Sequence, residues 1–158
     1  MQLSDEQSIY PAASNPYYIV APPYVRTSAG IRVLHLLCHS LNRLGHTAYL
    51  LLYPAMPWRS NQIGPDLLTP VLNADIAKSH YERGLTPIMV YAEAVAGNPF
   101  GSPCVVRYVL NFPGLLGGDK IYADNELCFS YGEVLAAHTR DKANILFLPA
   151  IDTRTYYP

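Results

Sequence analysis

Apolar residues run unbroken through Tyr17-Tyr18-Ile19-Val20-Ala21, give way to a polar loop over Pro22 to Thr27, and return at Ile31, Leu34, Leu37, Leu41 and Leu44. A short continuous run reads as a buried strand, whereas recurrence every three or four positions reads as a helix with one buried stripe. The pattern predicts a strand over 17–21 feeding a helix from Ser28 to Leu44, half of a βαβ unit. Both helix ends carry signals. Ser28 can accept from the free amides of a first turn, and Gly45 can take the left-handed conformation that closes a last one.

Thr47 to Tyr53 is a second unbroken apolar and aromatic run, the pattern of a strand buried on both faces of a parallel sheet. Pro54 to Pro65 is too broken for regular structure and holds the single tryptophan, Trp58. Asn73 caps a short predicted helix over about Ala74 to Arg83, which Gly84 ends. Pro87 to Val95 predicts a third buried strand with Glu93 at its carboxyl end, and the loop Ala96-Gly97-Asn98-Pro99-Phe100-Gly101 follows at once. Ser102 and Pro103 suit the start of a further helix to about Asn111, with Val105, Val106, Val109 and Leu110 apolar and Arg107 projecting elsewhere. Lys120 to Tyr122 and Glu126 to Ser130 are short predicted strands, and Ala143 to Leu148 is the last strong one.

Residues 1–16 are polar with two prolines and read as a flexible lead-in to a single domain over 17–158. The alternation of elements predicts an α/β fold, a Rossmann-like, open and mainly parallel sheet with helices on both faces. Ligands of such sheets bind beyond the carboxyl ends of the strands. That rule points to three loops: Pro22 to Gly30, Pro54 to Pro65, and Ala96 to Ser102.

Composition narrows the function classes. A net charge of −1 with 15% charged residues argues against a basic face for nucleic acid. The 14 prolines and 13 tyrosines suit rigid loops carrying amphipathic rings, which either stack on flat apolar faces such as those of sugars or half-bury at loop bases. Cys38, Cys104 and Cys128 are odd in number and far apart, which fits neither a disulfide framework nor a CxxC site and suits a reduced cytosol. No apolar run nears the roughly 18 residues of a membrane span, and no basic-then-apolar signal opens the chain. The expectation is a cytoplasmic protein, with peripheral contact at the inner membrane face left open.

Arg26, Thr27, Ser28 and Gly30 bring a guanidinium, two hydroxyls and a bare backbone to a helix N-terminus, a place for a phosphate or a hydroxyl-rich ligand. The alternative for Gly30 is close packing of helix on strand. No GxGxxG follows the first strand and no GxxxxGK[ST] occurs, which removes the main support for NAD or a P-loop. Glu93, Gly97 and Asn98 place a carboxylate and an amide near the sheet edge, suited to sugar hydroxyls. Equally, Glu93 can cap a neighbouring helix or pair with Arg107. His35, Cys38 and His39 share one helix, and Asp124-Asn125-Glu126 is a short acidic turn. The helix lacks the acidic third ligand or HExxH pattern of a zinc site, and the triplet reads as solvated turn residues before a strand rather than a divalent-cation site, so no metal site is predicted. No G-x-S-x-G elbow marks a hydrolase.

The ordered set Tyr18-Ile19-Val20-Ala21-Pro22, Ser28-Ala29-Gly30-Ile31-Arg32-Val33-Leu34-His35, Leu44-Gly45-His46, Pro87 to Glu93, Gly97 to Gly101, Val106-Arg107-Tyr108, Asn111 to Gly114 and Leu148 to Asp152 resembles the N-terminal domain of GT-B-fold glycosyltransferases of the family 4 kind. The likeness is to the bacterial polysaccharide and O-antigen type and spans about residues 17–155. It implies a two-domain enzyme in which this half binds the acceptor and a C-terminal half, absent here, grips a nucleotide-sugar. Gly30 and its neighbours would then face the donor phosphates and the acceptor, and Glu93 to Asn98 would line the acceptor side. The family's donor-binding Glu-x7-Glu stretch and basic pair have no counterpart, nor does its histidine after a middle strand, so no catalytic residue is assigned. The resemblance implies no cofactor or metal beyond the nucleotide-sugar substrate, a glycan or lipid-linked acceptor, and a partner domain in cis or trans. The chain would be a piece of a longer protein or one half of a split enzyme, inactive alone. It would self-associate through its uncovered cleft face. Two other classes stay in view, a non-catalytic α/β binding or assembly module and a small stand-alone enzyme.

Overall fold

A computed structural model describes residues 15–150. Five strands, β1 (Tyr17–Ala21), β2 (Ala48–Leu52), β3 (Ile88–Ala92), β4 (Val105–Val109) and β5 (Leu127–Ser130), form one sheet in the order β2-β1-β3-β4-β5. Every ladder is parallel. Helix α1 (Ala29–Arg43) crosses from β1 to β2, α2 (Ala74–Glu82) precedes β3, and the one-turn α3 (Glu133–Ala136) follows β5. This is the Rossmann-like α/β architecture that the alternation predicts.

The capping signals act as expected. Ser28 Oγ accepts from the Ile31 amide at 3.4 Å, Asn73 Oδ1 accepts from the Ile76 amide at 2.9 Å, and Gly45 closes α1 at φ +88°. Asn42 ties the last turn of α1 to β2. Its Oδ1 accepts from the Ala48 amide at 3.0 Å, and its Nδ2 donates to the Ala48 carbonyl at 2.9 Å.

The two faces of the sheet are covered differently. On one, Val33, Leu34, Leu37 and Cys38 of α1 pack on Ile19, Leu50, Val90 and Tyr108, and the extended segment with Leu146 and Leu148 completes the cover. On the other, α2 approaches through His80, whose Nδ1 lies 2.6 Å from Tyr18 Oη in a buried hydrogen bond. Helices therefore stand on both faces. Both sheet edges are shielded by a single parallel bridge, Val71 against Leu50 and Ile145 against Ser130, which blunts further strand pairing.

Three expectations are corrected. The helix expected over 102–111 is instead β4, paired with β3 from Met89↔Val105 to Ala92↔Tyr108. Its β-branched run fits a pleated surface, and its apolar positions serve a strand buried on both faces as well as a helix. Lys120 to Tyr122 is a bend with Ile121 exposed. Ala143 to Leu148 makes one bridge and otherwise contributes side chains to the α1 face. The lead-in expected over 1–16 lies outside the described residues except for Asn15 and Pro16. These two are pinned: Asn15 Oδ1 accepts from the Thr86 amide at 3.0 Å, and the Pro16 carbonyl from Ile88 at 2.8 Å. Ile151 and Asp152 of the last resembling stretch are also outside.

Asn42→Ala leaves the Ala48 amide and carbonyl without their side-chain partner. We expect a loss of about 1–3 kcal/mol in unfolding free energy by urea denaturation, with the m-value unchanged.

Candidate functional site

The strand order reverses direction at β1, which is followed by β2 on one side and by β3 on the other. Such a switch point leaves a crevice beyond the carboxyl ends of the two central strands. A cavity of about 270 Å³ opens there. Val20, Pro22 and Leu34 form its β1 and α1 side, Ala92, Ala94, Val95, Ala96 and Pro99 its β3 side, and Tyr53 and Pro54 close it from β2. The three loops marked by the strand-end rule thus each supply a wall. At the rim, the half-exposed rings of Tyr53 and Phe100 meet edge to face at 5.5 Å.

The β3 wall is irregular backbone, and one side chain holds it. Arg107, in the middle of β4, is fully buried. Its Nε and Nη2 donate to Glu126 at 2.8 and 2.9 Å, Nη1 donates to the carbonyls of Val95 at 2.6 Å and Ala92 at 3.3 Å, and Nη2 also reaches the Gly97 carbonyl at 2.8 Å. The guanidinium lies between the rings of Tyr91 and Tyr122, 5.2 Å from each centroid. A buried charge is tolerated only when paired and saturated with hydrogen bonds, and here all five N–H groups have acceptors.

The residues expected to touch a sugar are distributed unevenly. Glu93 is buried, and its Oε2 accepts from the Leu110 amide at 2.9 Å beyond β4. It caps the end of a strand and leaves Arg107 to Glu126, unlike either alternative for it. Burial pushes its carboxyl above the usual range, with the amides of Leu110 and Asn111 and the charge of Arg107 opposing. Its backbone is crowded too, since a Cβ at Gly118 would lie 2.0 Å from the Glu93 carbonyl oxygen, at a φ of +72°. Asn98 Oδ1 accepts from Tyr91 Oη at 2.8 Å and from the Ser102 amide at 3.0 Å, while its Nδ2 donates to the Ser102 carbonyl at 2.7 Å. Gly97 donates to Asp119 Oδ2 at 2.6 Å. The polar groups of Glu93, Gly97 and Asn98 therefore build the loop, and none of the three lines the cavity.

Arg26 and Thr27 are exposed at the mouth of α1. Gly30 has ordinary space, an added Cβ meeting only Leu110 Cδ1 at 3.9 Å, so close packing does not require a glycine there. The first turn of α1 thus presents backbone amides at the same edge as the cavity. Sequence reasoning missed Arg107 and Glu126 as the organisers of this edge. An arginine inside an otherwise apolar β-branched run was the available signal.

The metal alternatives resolve into hydrogen bonds. His35 Nε2 donates to the Pro22 carbonyl at 2.9 Å, and His39 Nδ1 accepts from the Leu68 amide at 2.8 Å. Cys38 is buried, its thiol pushed up to about 12. Asp124 pairs with Arg140 at 2.7 Å and Glu126 with Arg107. Among the described residues no three His, Cys, Asp or Glu side chains stand close enough to share a metal ion. No helix there is long and apolar enough to cross a membrane.

No family model, no curated protein and no solved structure matches the chain.

Arg107→Met strands the Glu126 carboxylate and the loop carbonyls of Val95 and Gly97, and we expect a loss of about 3–5 kcal/mol. Arg107→Met with Glu126→Met removes the stranded charge, and its urea midpoint should return at least halfway toward wild type. Glu93 gives a pH signature. Because burial raises its folded-state pKa, the folded chain holds that proton more tightly than the unfolded one. The resulting stability is full below the ordinary carboxylate pKa and is lost as pH rises through the raised value. Glu93→Gln stays neutral, so wild type should lose unfolding free energy relative to it as pH rises above the ordinary carboxylate range. Parallel stability curves for the two would show that the carboxyl titrates normally.

Proposed function

We propose that this chain is the acceptor-binding half of a glycosyltransferase of the GT-B kind, transferring a sugar from a nucleotide-sugar to a glycan or lipid-linked acceptor. The observation that carries the reading is the carboxyl edge of the sheet, where the switch-point cavity, the first turn of α1 and a set of exposed apolar side chains stand together. Tyr53, Trp58, Phe100, Phe112, Leu115 and Leu116 all sit on loops that leave the carboxyl ends of β2, β3 and β4, and all are exposed. Exposed apolar side chains gathered at one end of a sheet suit a surface that faces a second domain across a cleft. The ordered resemblance of residues 17–155 to that family supports the same reading.

The chain alone is inactive on this reading. Departure of a nucleotide needs preorganised positive groups at its phosphates. Arg107 is committed to Glu126 and the loop carbonyls, so the second domain supplies those contacts. The first turn of α1, with Arg26, Thr27 and Ser28, meets the hydroxyl-rich part of the ligand. No metal or organic cofactor takes part. The protein works in the cytoplasm, with peripheral contact at the inner membrane face where the acceptor is lipid-linked.

The internal engagement of Glu93 and Asn98 favours a second reading, a non-catalytic module whose apolar edge docks a partner protein. NMR titration separates the two. Oligosaccharide acceptors should shift the amides of Gly30, Ala94 and Ala96, nucleotide-sugars should shift them weakly, and the chain alone should show no turnover. Turnover by the 158 residues would mark a stand-alone enzyme. Shifts induced by a protein and by no sugar would favour the docking module.

A further inference from the structure

Two of the loops at the carboxyl edge, 22–27 and 54–65, are joined to each other and to α1 through one histidine. His35 is fully buried, and its Nε2 donates to the Pro22 carbonyl at 2.9 Å. A carbonyl only accepts, so the neutral ring carries its proton on Nε2. Tyr24 of the same loop sets its ring edge to face on His35 at 5.3 Å. Tyr24 in turn holds the second loop. Its amide donates to the Gln62 carbonyl at 3.0 Å, and a Cβ added at Gly64 would stand 2.8 Å from Tyr24 Cε2. Of residues 54–65, Gly64 alone is buried, so this contact is where that loop is seated. Pro22 from one loop and Pro54 from the other line the cavity.

The other ring nitrogen faces nothing that could accept a proton from it. His35 Nδ1 is buried and has no hydrogen-bond partner among the described residues. A proton there would make a buried cationic donor without an acceptor, costlier than the bare lone pair it replaces. The surrounding titratable groups offer no relief. The loop brings Tyr24 and Arg26, and α1 itself brings Arg32, Cys38 and His39 one turn away. The sheet face beneath α1 adds the phenols of Tyr17 and Tyr108. Residues 54–72 carry Arg59 and Asp66, and Asp66, the one carboxylate in these segments, is exposed. Burial accordingly holds the His35 pKa below its ordinary value, with the Pro22 bond opposing.

We propose that His35 is an acid-sensitive clasp at the ligand edge: neutral, it locks loops 22–27 and 54–65 together, and protonated it releases both while α1 stays on the sheet. Release is local because α1 has its own hold, through Val33, Leu34, Leu37 and Cys38 on the sheet and through Asn42 on β2. The loops are irregular backbone, and the longer one is largely exposed. The direction follows from linkage. The open form takes up the proton at the ordinary histidine value of about 6.5, and the closed form only below it. Closure is therefore full above that value and weakens as pH falls below it, by up to about tenfold per pH unit. Any ligand that touches both loops binds more weakly in acid, because only the closed form presents both.

The test uses the full 158-residue chain without ligand, so its outcome leaves the acceptor reading untouched. NMR follows the amides of Tyr24, Gln62 and Gly64 and the ring carbons of His35 from about pH 8 down to about pH 5. We expect all four residues to share one midpoint below the ordinary histidine value, while the Leu37 and Leu41 amides of α1 keep their protection from hydrogen exchange. His35→Phe keeps a ring against Tyr24 and takes no proton. His35→Gln keeps a neutral donor for Pro22. In either variant the three loop amides should cease to titrate, whereas His39→Gln should leave their midpoint in place. Loop amides that do not follow the His35 ring in the wild-type chain, that still titrate in a folded His35 variant, or that move only as α1 loses protection would overturn the clasp.

Discussion

A fully buried guanidinium, Arg107, is the contact on which the carboxyl half of the sheet depends. Parallel strands are usually joined by helices that cover both faces. Here β3 passes to β4, and β4 to β5, through segments that hold no helix, so irregular backbone must cover one face. Buried irregular backbone carries carbonyls that need donors. Arg107 supplies them to Ala92, Val95 and Gly97 from a single point, while Glu126 on the neighbouring chain segment neutralises the charge and Tyr91 and Tyr122 sandwich the plane. The arrangement works only as a unit, because each half of a buried ion pair is costly without the other.

This construction divides the sheet into two chemistries. The α1 face is hydrocarbon from Ile19 through Tyr108 and is closed by Leu146 and Leu148. The opposite face is apolar beside Tyr18, Val20 and Met89 but polar over β4 and β5, where the ion pair and Tyr122 lie. Burial, aided by the nearby Glu93 charge, pushes the Tyr122 phenol up to about 12, so it remains a neutral neighbour of the pair. The cavity opens near the boundary between the two, with one wall from the strand and helix that build the hydrocarbon core and one from the loop that Arg107 fixes.

A wall fixed from behind has a consequence for recognition. Its carbonyls at Ala92, Val95 and Gly97 face the arginine, and the side chains that line the cavity there are alanine, valine and proline. Affinity at such a wall comes from burial of apolar area, and orientation comes from the few polar groups around it. At this edge the first turn of α1 brings its backbone amides, with the exposed Thr27 beside them.

The sequence by itself determined the elements whose causes are local. The unbroken runs of β1, β2 and β3, the 3.6 period of α1, and the caps at Ser28 and Asn73 were all legible, because each depends on residues within one turn or one strand. The strand-end rule also located the cavity's three loops, since it needs only element order. Tertiary structure decided the stretch 102–111. Val105, Val106, Val109 and Leu110 satisfy a helix stripe and a two-faced strand alike, and the choice fell to pairing with β3 on one side and β5 on the other. It also decided what the polar residues do. Glu93, Asn98 and Arg107 were legible as chemistry, but their partners Leu110, Ser102 and Glu126 are brought to them by the fold, and hydrogen-bond capacity used within the chain is not available to a ligand.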